Sequence, residues 1–235
     1  MTKEQTVVEH LTEFRWRLMV VLATFFLVFT GALFFVDKFY LFLTGNLQQK
    51  LVVLGPNDIL WIYISLASLT AFSLTLPMTV YQVWAYIRPA LKKEEVGHLF
   101  YYIPATFLCF LAGLAFGFYF VTPAILQVLM GIGQDLFVSQ LTAENYLAFV
   151  YHTTLPIALL FELPVIVAFL TSIGLLSPQF LVKYRRYAYF ALLVIAVVIT
   201  PADFISDLTM TIPLVFIYEL SLVISRMIYK KKGRG

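Results

Sequence analysis

Glu162 is the acid that lies nearest the middle of a long apolar run, in the segment Phe161-Glu162-Leu163-Pro164. Ionisable groups at membrane depth are expensive, so one that persists there first suggests a function. Pro164 has no N–H to offer the carbonyl of Leu160, which leaves backbone polarity beside the carboxylate. Together these features predict a polar, hydrated pocket. The plainer alternative is a carboxylate held protonated by desolvation and satisfied within a helical bundle.

Asp203 and Asp207 form a second group. Thr200-Pro201-Ala202-Asp203 reads as a helix end followed by the start of the next helix, with Asp203 as its structural cap. Asp207 shares a face with Asp203 if that helix begins early, and is expected deeper, as an intramembrane polar residue. Glu219 reads as an interface-facing acid near a basic tail. A third group flanks the first apolar runs: Glu9, Glu13 and Arg17 recur every four residues and line one helix face, while Arg15 points elsewhere. Tyr81-Gln82-Val83-Trp84-Ala85-Tyr86 then precedes Arg88-Pro89, with Glu94 and Glu95 following. Acids beside aromatic rings suit guanidinium groups, through charge-assisted hydrogen bonds and cation–π contact. Spacing alone favours a simpler reading, an aromatic belt with solvated charges.

Enzyme chemistry finds little support. His10, His98 and His152 stand in separate segments without metal-ligand spacing, and neither a nucleophile motif nor a glycine-rich phosphate loop occurs. The single cysteine, Cys109, sits in an apolar stretch and reads as a small packed residue. No metal, no cofactor and no catalysis are therefore expected.

The elements that position these residues follow from composition. Of 235 residues 61% are hydrophobic and 12% charged, far from the balance of a water-soluble domain. A bilayer core of about 30 Å takes roughly 20 apolar residues as helix. The qualifying runs are Trp16 to Val36, Ile59 to Val80, Leu99 to Val121, Tyr146 to Ile173, Ala188 to Thr200 and Leu208 to Ile228. These predict an all-α integral membrane protein of six spans in a single membrane domain over residues 1–235. The first run exceeds a cleavable signal and follows Glu4, Glu9 and Glu13, so it reads as a retained span.

Lys3, Arg15, Arg17, Arg88, Lys92, Lys93, Lys183, Arg185, Arg186, Arg226, Lys230, Lys231, Lys232 and Arg234 fall on one side of this arrangement, and only Lys38 and Lys50 on the other. The positive-inside rule then puts both termini in the cytoplasm. The basic excess reads as topology plus attraction to anionic membrane lipids, not as nucleic-acid binding. Pro77, Pro104, Pro156, Pro164 and Pro213 fall within spans and should bend them. Ala188 to Thr200 would be only about 20 Å long at 1.5 Å per residue, so either the bilayer thins there or the helix takes in flanking residues. Bent, unequal helices suggest a concave scaffold.

His10-Leu11-Thr12-Glu13-Phe14-Arg15-Trp16-Arg17, Leu76-Pro77, Tyr81 through Tyr86 to Pro89-Ala90-Leu91, Phe161 to Pro164 and Thr200 to Asp203 occur in an order and at positions that resemble the TatC family, the multispanning core subunit of the twin-arginine protein translocase. The resemblance covers nearly the whole chain. It implies a receptor in the prokaryotic cytoplasmic (inner) membrane for folded cargo proteins that carry a signal peptide with paired arginines. It also implies an oligomeric complex with single-span TatA/TatB-type partner subunits. By position, Glu13 and Glu95 would engage the arginine pair, with Tyr86 in the same site and Arg17 and Trp84 as neighbours. Glu162 would be the intramembrane polar residue, and the fifth and sixth spans would dock a partner helix. Asp207 stands where the family pattern leads one to expect glutamine, and Tyr86 where it leads one to expect phenylalanine. Two readings from other classes stay open at this point: a proton-coupled secondary transporter using Glu162, which the lack of an internal repeat weakens, and a passive membrane scaffold.

Overall fold

The structure, a computed structural model, describes residues 7–45, 51–87, 93–131, 141–199 and 204–232. They form nine α-helices in the order α1 (Val7–Leu33), α2 (Val36–Thr44), α3 (Pro56–Ile87), α4 (Lys93–Phe116), α5 (Thr122–Gly131), α6 (Ala143–Leu160), α7 (Leu163–Ser172), α8 (Pro178–Ile199) and α9 (Phe204–Lys232). A π-helical turn, Gly117–Val121, joins α4 to α5. Among the described residues, five segments are long and apolar enough to cross a bilayer: Leu11–Leu33, Pro56–Val83, Tyr102–Gly131, Ala143–Ser172 and Met210–Lys231.

Several boundaries differ from the hydropathy reading. The third apolar run does not end at Val121: the π-helical turn leads directly into α5, and helical backbone runs on through Pro123 to Gly131. The fifth apolar run is the second half of a 22-residue helix, α8, whose first half carries Lys183, Arg185 and Arg186. The helix thus takes in flanking residues, and its three charges keep it outside those five segments. Phe34 and Phe35 close the first helix in a turn, and α2 follows at once. Helix continues through Pro77, Pro104, Pro156 and Pro213. It breaks at Phe161–Glu162, one turn before Pro164, where the Leu160 carbonyl loses its donor.

By its contacts the chain divides into two compact units, one of Met1–Gln49 with Leu60–Phe107, the other of Lys50–Ile59 with Leu108–Gly235. In the first, Ala67 and Ala71 are fully buried one turn apart on α3, and Ile62 and Leu66 are buried on the same helix. Asp37 of α2 accepts a hydrogen bond from the Tyr63 hydroxyl of α3. In the second, α7 and α8 pack against α9, burying Val167, Leu192, Ala196, Met210, Leu214 and Leu222 together. Hydrocarbon solvates such side chains as well as protein does, so close van der Waals fit and buried hydrogen bonds hold these helices together. Thr171 and Ser225 share one such bond between α7 and α9 at 2.8 Å, and the Tyr218 hydroxyl donates to the Leu181 carbonyl at 2.8 Å.

α4 and the π-helical turn after it approach α6 closely. A Cβ at Gly113 would stand 2.6 Å from Ala158 Cα, and one at Gly117 would stand 3.0 Å from Thr154 Cα. Gly113 and Gly117 are four apart, as are Thr154 and Ala158. This small-residue spacing lets two backbones approach closely within a membrane. The contact fixes the end of α6, and with it Phe161 and Glu162. The segment before α6 is tied too: Val52 donates to Leu141 O, Ala143 donates to Val52 O, and the Thr142 hydroxyl caps α6 by accepting from Asn145 N–H.

Candidate functional site: an arginine-holding end of two helices

The four-residue spacing of α1 places Glu13 and Arg17 on one face, and they pair. Arg17 Nε and Nη2 both donate to Glu13 Oε1, at 3.0 and 2.5 Å. Across on α3, Nη1 donates to Gln82 Oε1 at 3.0 Å and Nη2 to the Ala85 carbonyl at 3.3 Å. The same faces bring the Phe14 and Tyr86 rings edge to face, with centroids 5.8 Å apart. Four of the five N–H groups of Arg17 are thereby engaged. Glu13 Oε2 takes no hydrogen bond among the described residues.

The Glu13 and Arg17 side chains are each about a quarter exposed, at 25% and 23%. An ion pair so placed is screened and contributes at most about 1 kcal/mol. A second guanidinium can therefore share or take over the carboxylate at small cost, while Gln82 and Ala85 keep Arg17 in place.

The structure thus unites Glu13, Arg17 and Tyr86. Trp84 lies on α3 and Glu95 on α4, but their side chains, and the segment 88–92, lie outside the described residues. Sequence reading missed Gln82 and the Ala85 carbonyl as acceptors. Gln82 was visible in the aromatic run, but nothing there paired it with α1.

The second site is Glu162, buried at 7% exposure in the break between α6 and α7. Its backbone accepts from Val165 and Ile166 N–H, restarting the helix past Pro164. Phe161 beside it packs at a tilt of 37° against Phe116 of α4, with ring centroids 5.5 Å apart, and Cys109 of α4 lies within electrostatic reach of the carboxylate. Thr153 on α6 is also buried, and its hydroxyl has no hydrogen-bond partner among the described residues. Asp207 lies half-buried in the first turn of α9, where a negative charge suits the helix dipole. Asp203 lies outside the described residues.

Glu219 does more than face an interface. It accepts from Arg185 at 2.7 Å and from the Tyr189 hydroxyl, clamping α9 to α8.

Comparison with known proteins gives one answer. A family model described as TatC, Sec-independent protein translocase protein, matches residues 9–213. The Sec-independent protein translocase protein TatCd of Bacillus subtilis (strain 168) is 41% identical, covering 99% of this chain and 96% of that protein. TatCy of the same organism is 38% identical, covering 99% and 93%. Among solved structures, a crystal structure of a twin-arginine translocase receptor, TatC, superposes with a TM-score of 0.81 at 28% identity, covering 94% of this chain and 99% of that one. A second, of the receptor in DDM, has a TM-score of 0.83 at 28% identity and covers 92% and 99%.

Proposed function

We propose, from the premise that this chain belongs to the TatC family and is a multi-pass subunit of a Sec-independent protein translocase, that the end where α1 meets α3 receives the paired arginines of a signal peptide. The observation that carries the proposal is that Glu13 already holds a guanidinium, that of Arg17, through Oε1, while Oε2 takes no hydrogen bond among the described residues. A planar fork can bind a carboxylate through two parallel bonds, which an ammonium cannot, so the site prefers arginine to lysine. Glu95 is the second carboxylate of this reading. Tyr86 belongs to the same site, with Trp84 as a neighbour, and aromatic residues there suit a bound cation.

In the same reading the chain is one membrane domain of six spans, with α8 as the shorter crossing and both termini in the cytoplasm of a prokaryotic cell. Fourteen basic residues then lie inside, and this asymmetry supports the orientation. Glu162 and Asp207 supply polar contacts within the bilayer. α8 and α9 dock the helices of single-span TatA/TatB-type subunits in an oligomeric complex. Family membership sets aside the solute-transporter and passive-scaffold readings.

Crosslinking from a signal peptide with a photoreactive group beside its arginine pair tests the site. Membranes carrying Glu13→Ala should show roughly a tenfold loss, the scale of one charge-assisted contact. Undiminished crosslinking would remove Glu13 from the site.

A further inference from the structure

The start of α8 runs beside the end of α9, and a groove of about 590 Å³ lies between them. Gln179, Val182 and Lys183 line it from α8 at i, i+3 and i+4. Arg226, Tyr229 and Lys230 line it from α9 at the same spacing. Three cations thus converge on one space, and no acid lines it among the described residues. The acid of α9 on the same stripe, Glu219, stands two turns before Arg226 and is taken up by Arg185 and Tyr189. Pro178, the first residue of α8, also borders the groove, so the positive end of that helix dipole adds to the field there.

The flank of the groove fixes its depth. Phe180, Tyr184 and Tyr187 are exposed on α8 next to it. The Phe180 and Tyr184 rings lie 4.4 Å apart, and Lys183 Nζ stands 5.7 Å from the Tyr184 ring centroid. Exposed aromatic rings interleaved with basic residues mark the level of lipid headgroups. A basic pocket between spans at that level fits the anionic part of a phospholipid. The groove is within the range of small-ligand sites, about 300–1,000 Å³, and so has room for more than a bare ion.

We propose that the groove between the start of α8 and the end of α9 binds the phosphodiester headgroup of an anionic phospholipid, through Lys183, Arg226 and Lys230. The acyl chains run along the exposed apolar side of α8. The headgroup ties the two helices together beyond the Arg185–Glu219 clamp.

Native mass spectrometry of the full chain released from detergent tests this with dioleoyl phosphatidylglycerol, tetraoleoyl cardiolipin, dioleoyl phosphatidylcholine and inorganic phosphate as separate additions. Both anionic lipids should give retained adducts, at least fivefold more than phosphatidylcholine. The combined variant Lys183→Gln, Arg226→Gln, Lys230→Gln should lose them by a similar factor, while Arg186→Gln, a cation on the same helix outside the groove, should not. If the combined variant fails to fold, Val182→Trp, which fills the groove without changing its charge, must show the same loss. Equal adducts in the filled or neutralised groove would overturn the proposal. Equal retention of phosphatidylcholine, or full displacement of lipid by inorganic phosphate, would overturn it as well.

Discussion

Arg17 donates to acceptors on two helices, and this division of one guanidinium gives the site its shape. Glu13 is only four residues away, but Gln82 and Ala85 are 65 and 68 residues away. Removing Gln82 should leave the Glu13 pair intact and free Arg17 to swing fully onto Glu13, closing the oxygen an incoming arginine needs. Gln82→Ala is therefore expected to weaken signal-peptide binding about three- to tenfold, the scale of one hydrogen bond to a charged group. Titration of a fluorescent signal peptide against the protein in nanodiscs measures it. Unchanged affinity would mean that Arg17 is not held by α3 for this purpose. At this scale the sequence was informative where contacts are local: the Glu13–Arg17 spacing and the missing donor of Pro164 both follow from neighbours along the chain. It was silent on Gln82 because glutamine beside aromatic residues has no period that names a distant partner.

Among elements, the α4–α6 contact tests how the Glu162 break is held in position. Gly113 has no room for a methyl group, since its Cβ would overlap the Ala158 backbone and the Phe161 ring, whereas nothing lies within 4 Å of a Cβ at Gly31. Gly113→Ala should destabilise the protein by about 1–3 kcal/mol through overpacking, and Gly31→Ala should not. Thermal unfolding in detergent separates them. Equal melting temperatures would show that α4 and α6 do not meet this closely. The pairing of Gly113 and Gly117 with α6 was not read from the sequence, because which helix a pair of small residues meets is decided by tertiary fit. The same limit explains α8. Hydropathy saw only its apolar half, since charged residues that end an apolar run need not end a helix, and Lys183, Arg185 and Arg186 continue it.

Over the whole molecule, hydropathy made the membrane class plain because apolar length is a one-dimensional signal. Orientation rests on the distribution of Lys and Arg, and it makes a direct prediction. In a Cys109→Ser background, a cysteine at Thr142 should react with a membrane-impermeant maleimide in intact cells, and one at Lys230 only after permeabilisation. The reverse pattern would invert the topology, and with it the side on which the proposed Glu13 site lies.

The central claim is that Glu13 discriminates paired arginines from paired lysines. It is tested most directly by the equilibrium binding of two signal peptides, identical except for that pair, to the protein in nanodiscs with and without Glu13→Gln. The arginine peptide should bind the unaltered protein about 10- to 100-fold more tightly than the lysine peptide, the scale of a charge-assisted bidentate contact, and Glu13→Gln should erase most of that difference. Discrimination that survives undiminished in Glu13→Gln would contradict the account.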